Sequence, residues 1–172
     1  YTQVLGSMWG EYQELNQQRS TAVTDDFWRR LTSEWFDRAD LPATHLDAVI
    51  EDADRLLFGP DSEVFRLYAD VIDTLDLLER AGLRTAVISN WDISLHRVLG
   101  MFDIQDRFEF SLASLEEGVE KPDPRLFRIA LERLGLPPEQ VLLVGDNPLD
   151  DLRGAKAVGM KAVLIDRSQP SS

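Results

Sequence analysis

The stretch Val-Leu-Leu-Val-Gly-Asp-Asn-Pro-Leu-Asp-Asp, residues 141–151, sets an apolar run directly against a cluster of carboxylates. Four consecutive apolar residues read as a strand buried on both sides, of the parallel kind. Gly145 lets the chain turn, which leaves Asp146, Asp150 and Asp151 at the carboxyl end of that strand, where open α/β sheets place their ligands. Hard oxygen donors with no His or Cys nearby favour Mg²⁺ over zinc or copper. The plainer reading of the same residues is a strand-to-helix turn in which Asp146 or Asp150 caps the helix and the other charges are solvated.

Two further strand ends carry chemistry. The run Thr85-Ala86-Val87-Ile88 leads into Ser89 and Asn90, which offer a hydroxyl, an amide and free backbone N–H groups ahead of a helix that Asp92 can cap. Such a place suits phosphate, although Ser and Asn are also ordinary turn formers. Lys121 stands in Glu-Lys-Pro-Asp-Pro, tethered just before another helix, where an ammonium can neutralise a phosphoryl group.

These residues need elements to position them. From about residue 84 onward strands alternate with helices: strands over 84–89, 108–112, 141–144 and 161–165, and helices over 93–99, 124–134 and 149–158. Asp123, Pro124 and Gly135 mark the start and end of the second helix. Alternation of this kind predicts a parallel sheet with helices on both faces. Ahead of it, apolar residues Val64 to Leu78 form a helical stripe ended by Gly82. Residues 4–15, 25–36 and 46–57 also have helical spacing and carry Trp9, Trp28 and Trp35, with Phe58 to Ser62 as the break that follows. Aromatic residues so spaced are core before they are a pocket. The expected division is therefore a helical unit over 1–60 and an α/β unit over 61–172.

Composition narrows the partners. A net charge of −13 argues against nucleic acid or an anionic membrane. The absence of cysteine removes disulfide and thiol chemistry and fits a cytoplasmic protein. No apolar run is long enough to span a bilayer, and only 167–172 reads as a frayed tail. His45 and His96 look isolated, and oligomeric state is open.

Ile88-Ser89-Asn90-Trp91-Asp92, Glu120-Lys121-Pro122-Asp123-Pro124-Arg125-Leu126-Phe127, and Val144-Gly145-Asp146-Asn147 through Asp151 to Gly154-Ala155-Lys156-Ala157-Val158-Gly159-Met160 resemble, in order and spacing, the second, third and fourth motifs of the haloacid dehalogenase (HAD) superfamily, in the form typical of its phosphatases. The resemblance covers roughly residues 65–166. It implies an α/β fold, a HAD-like Rossmannoid three-layer parallel sheet core with a helical cap domain, and a small phosphorylated metabolite as substrate. It further implies that Ser89 and Asn90 hold phosphoryl oxygens, that Lys121 stabilises their charge, that Asp146 ligates Mg²⁺, and that Asp151 holds the metal's water or orients Lys121. Asp150 receives no role, and residues 1–60 correspond to the cap.

The chain departs from the family in one respect. The family's first motif, a strand ending in Asp-x-Asp-x-Thr/Val, supplies the nucleophile and should precede the cap, but Tyr1 already lies in the first helical pattern. Asp52-Ala53-Asp54 is a poor substitute, since it sits in a helical pattern and follows no strand. The expectation is a further N-terminal segment of about 15–25 residues that supplies a central strand. The readings that follow are a Mg²⁺-dependent phosphatase, a fold-keeping scaffold without turnover, or a metal-independent 2-haloacid dehalogenase. The acidic cluster disfavours the last, because carboxylates beside a nucleophilic aspartate repel one another without a cation.

Overall fold

The computed structural model describes residues 1–167. Three helices come first, α1 (Thr2–Asn16), α2 (Thr21–Arg38) and α3 (Leu46–Phe58). Val4 and Tyr12 of α1 interlock with Phe27 and Leu31 of α2, all at 2% exposure or less. Trp28 and Trp35 pack at the margin of this cluster, whereas Trp9 is 41% exposed. The helical stripe expected over 64–78 is shorter than its pattern: helix α4 runs Val71–Arg80. Phe65 instead turns inward against Phe58 and Trp91, and Leu67 packs on the core, while Val64 and Tyr68 stay exposed, so this stretch presents no single apolar helix face.

The α/β part then reads β1 (Val87–Ser89), α5 (Ser94–Met101), β2 (Ser111–Ala113), α6 (Ser114–Glu117), α7 (Pro124–Leu134), β3 (Leu142–Gly145), a π-helical turn (Pro148–Arg153), α8 (Gly154–Ala157) and β4 (Lys161–Leu164). Helix α7 keeps its expected bounds: Asp123 accepts the Arg125 N–H, Pro124 opens the first turn and Gly135 closes it at φ 63°. All strands pair in parallel, β1 with β2 and β3 with β4.

The sheet is divided. No hydrogen-bonded ladder joins β1 to β3 among the described residues. In a parallel ladder alternate residues turn both backbone groups to the same neighbour. Val87 N–H bonds to Phe110 O, so Ile88 turns its groups to the edge away from β2. By the same alternation Leu142 and Val144 face the edge away from β4, since the carbonyls of Val141 and Gly145 accept from Lys161 and Ile165.

The expectation that 141–144 is buried on both sides is therefore corrected. Leu143 and Val141 pack on Phe127, Ala155 and Met160, but Leu142 and Val144 are 55% and 52% exposed. Helices α7 and α8 cover one face of β3–β4, and no described helix covers the other. Around β1 both faces are covered: Val87 meets Leu75, Leu95 and Leu99, while Ile88 meets the α7 cluster. Arg167, expected in a frayed tail, is anchored, with its guanidinium 3.9 Å over Tyr68 and 3.1 Å from Asp70. The rest of that stretch lies outside the described residues.

Candidate functional site

The site gathers at the carboxyl ends of β1 and β3, where their helices begin. Lys121 crosses between them. Its ammonium donates to the Ile88 carbonyl at 3.2 Å and to Asp151 Oδ1 at 2.6 Å. Both side chains are largely withdrawn from water, 13% exposed for Lys121 and 6% for Asp151, so the pair works at low dielectric and each charge depends on the other.

Asp151 is engaged through both oxygens. Its second oxygen accepts the backbone N–H groups of Asp146 at 3.1 Å and Asn147 at 3.0 Å. Burial raises its pKa, but the Lys121 hydrogen bond and the N–H donors outweigh that, and the net direction is down. The carboxylate sits so close beneath the turn that a Cβ at residue 145 would collide with it, which is why the chain needs Gly145 there. Of the two roles implied for Asp151, this geometry is that of orienting Lys121.

Asn90 makes contacts that its sequence position did not suggest. Its Nδ2 donates to the Lys121 carbonyl at 2.9 Å and its Oδ1 accepts the Lys121 N–H at 2.7 Å. The amide expected to hold phosphate is thus engaged as a clamp between the loop after β1 and the lysine loop. Ser89, half-buried at the end of β1, has no side-chain hydrogen bond among the described residues.

The plainer reading of the acidic turn is corrected in its choice of cap. Asn147, not Asp146 or Asp150, caps the π-helical turn by accepting from Leu149 N and Asp150 N, and its Nδ2 ties Asp150 at 2.8 Å. Asp146 is left exposed, with no side-chain hydrogen bond or ion pair among the described residues. No group of three or more His, Cys, Asp or Glu side chains converges among those residues as a complete ion cage. Mg²⁺ asks for less, since it keeps several waters and takes one or two carboxylates plus substrate phosphate. Asp146 fits that donor set, and Asp151 Oδ1, which accepts from Lys121 alone among the described residues, keeps a lone pair for a metal-bound water. Asp52 and Asp54 lie within α3, not at a strand end, and are paired with Arg55 and Arg97.

The surrounding charges are organised. Glu116 and Glu117 of α6, the element leading into the lysine loop, accept from His96 at 2.8 Å and from Arg19 and Arg133, each at 2.7 Å. The Glu116 hydrogen bond raises the His96 pKa against the opposing effect of burial. Neither this cluster nor the Asn90 clamp had a sequence signal, because each joins residues at least 16 positions apart. A cleft of about 1390 Å³ lies between α2, α3 and the start of α5, with Trp28, Trp35, Phe58, Asp92 and Arg97 on its walls.

Comparison with known proteins gives a consistent picture. The family model for haloacid dehalogenase-like hydrolases matches residues 2–159. A phosphoserine phosphatase of Thermus thermophilus is 32% identical over 95% of this chain and 64% of its own length. Haloacid dehalogenase-like hydrolase domain-containing protein 3 of Homo sapiens is 44% identical over 54% of this chain and 37% of its own. The chain thus spans less than two thirds of either relative. Among solved structures, a HAD phosphatase from Thermococcus onnurineus superposes with a TM-score of 0.63 at 23% identity, over 98% of this chain and 81% of that one, a likeness of fold.

Proposed function

The chain belongs to the haloacid dehalogenase-like hydrolase family, and we propose that the whole protein is a Mg²⁺-dependent phosphatase of a small phosphomonoester, with residues 1–60 as its cap and 61–172 as its α/β core. The observation that carries this reading is the Lys121 ammonium, fixed 2.6 Å from Asp151 at the junction of two strand ends. A buried, aimed cation there is placed to meet a phosphoryl group.

The reaction is hydrolysis, phosphomonoester and water giving alcohol and phosphate. Ser89 donates its hydroxyl to a phosphoryl oxygen. Lys121 spends one proton on Asp151 and one on Ile88 O, and offers its third to the phosphoryl oxygens as charge builds on them. Asp146 would hold Mg²⁺, which would supply Lewis-acid charge neutralisation at the site. The attacking aspartate belongs to a strand that would lie between the free edges of β1 and β3 and pair with the backbone of Ile88, Leu142 and Val144. Closure of the helical cap excludes water and selects the leaving group.

The test is turnover of p-nitrophenyl phosphate by the full-length protein, with Mg²⁺ and after chelation. Metal-dependent release of nitrophenol supports the reading. Chloride release from 2-chloropropionate without metal would replace it with the dehalogenase reading. Mg²⁺ binding with neither reaction would replace it with that of a scaffold.

A further inference from the structure

Two side chains of α1 reach across to the loop that leaves β1. The Tyr12 hydroxyl donates to Asp92 Oδ2 at 2.7 Å, and Asn16 Oδ1 accepts the Ile93 N–H at 2.9 Å. Asn16 Nδ2 donates to the Tyr12 carbonyl at 2.8 Å, which makes one unit of the two residues. Both are inside the protein, Tyr12 2% exposed and Asn16 fully buried. Burial and the neighbouring Asp92 push the Tyr12 phenol upward, so it stays protonated and donating.

Residues 90–93 of the loop are held from three parts of the molecule, the lysine loop, α6 and α1. Asn90 is clamped to Lys121. The Trp91 carbonyl accepts the Leu115 N–H at 3.1 Å. Asp92 divides its carboxylate between Tyr12 and the Ser94 N–H, the latter at 2.8 Å. Ile93 N–H has the Asn16 oxygen. A helix packing on this surface for apolar contact alone would need no buried amide or phenol there, because unpaired buried polar groups are costly and paired ones demand exact placement. Polar residues at 12 and 16 therefore specify where the loop sits against α1.

We propose that Tyr12 and Asn16 are positioning residues that set the shape of the Ser89–Ile93 loop, which binds phosphate only while α1 is seated on it. The phosphate-binding part of this rests on the function proposed above. Loop and helix then form one two-state element: unseating α1 loosens the loop, and phosphate bound in the loop holds α1 in place by the same factor.

The test uses the full-length protein and two readouts, amide hydrogen exchange over residues 90–93 and steady-state kinetics on p-nitrophenyl phosphate. Tyr12→Phe keeps the ring packing and removes one hydrogen bond; Asn16→Ala removes the acceptor of Ile93. Both should speed exchange in the loop by about tenfold, the scale of one hydrogen bond to a charged or buried partner. Both should raise KM while kcat stays within about twofold, since the loop holds phosphate alike in ground and transition states. Unchanged loop exchange in Tyr12→Phe and Asn16→Ala overturns the proposal, and so does faster exchange with an unchanged KM. If the wild type turns over nothing, the functional reading fails by itself, and exchange with inorganic phosphate as the probe still decides: phosphate must slow loop exchange in the wild type and fail to do so in Tyr12→Phe.

Discussion

Asn90 grips the backbone of Lys121 from both sides, its amide nitrogen 2.9 Å from the lysine carbonyl and its amide oxygen 2.7 Å from the lysine N–H. Two loops that follow different strands are thereby held in one register, and the ammonium at the end of the Lys121 side chain inherits that placement. Asn90→Ala should cost about 1–2 kcal/mol of stability for the two lost bonds. Its effect on kcat/KM of the full-length protein should be larger, roughly 100-fold, because a misplacement near 1 Å at the reacting centre is felt at that scale. Urea unfolding and kinetics on one preparation compare the two; equal losses would contradict the clamp.

The Lys121–Asp151 pair predicts asymmetry between single and double variants. Asp151→Ala leaves a withdrawn ammonium unpaired and should destabilise by about 3–5 kcal/mol, whereas Lys121→Met with Asp151→Asn, which removes both charges and keeps an oxygen for the Asp146 and Asn147 N–H groups, should recover most of that loss. Midpoints of chemical denaturation give the comparison. Similar values for the single and double variants would show that the pair is solvated.

Protonation should act on stability in opposite directions at two places. The Asp151 pKa is lowered on folding, so its contribution is present above the unfolded carboxyl value, about 3.9, and is lost as pH falls through the lower folded value. The His96 pKa is raised, so its contribution is complete below about 6.5 and is lost as pH rises through the higher folded value. Glu116→Gln should flatten the second slope and leave the acid limb unchanged, as read from melting temperature against pH.

Gly145→Ala places a methyl group on the Asp151 carboxylate. The carboxylate must shift, which breaks its bonds to the Asp146 and Asn147 N–H groups or to Lys121. A loss of about 1–3 kcal/mol is expected, with a larger fall in activity than in stability. Unaltered activity would mean that the turn has room the structure does not show.

Asp146 is the carboxylate left uncommitted beside the site. Asp146→Asn should abolish the Mg²⁺ dependence of turnover and the Mg²⁺-induced rise in melting temperature while leaving the melting temperature without metal within about 2 °C of the wild type, since no described contact is lost. Calorimetric titration with Mg²⁺ checks it directly, and wild-type affinity in the variant would move the metal elsewhere.

The sequence by itself determined the elements whose signals are local. Helix α7 could be read from Asp123, Pro124 and Gly135 because capping acts within one turn, and the helices before residue 60 from their 3.6-residue spacing. It also singled out Ser89, Lys121 and Asp151, through motifs whose residues lie within a few positions of one another. Only the tertiary structure decided what those side chains are bonded to. It tied Asn90 to Lys121, 31 residues along the chain, gave both oxygens of Asp151 to Lys121 and the backbone, and joined Tyr12 to Asp92 across 80 residues. It also showed β3 half-exposed and the sheet in two pairs, where the apolar run had suggested full burial. The physical reason is the same in each case. Backbone propensity and capping are settled by neighbours in sequence, whereas a hydrogen bond or a buried face depends on what the rest of the chain brings beside it.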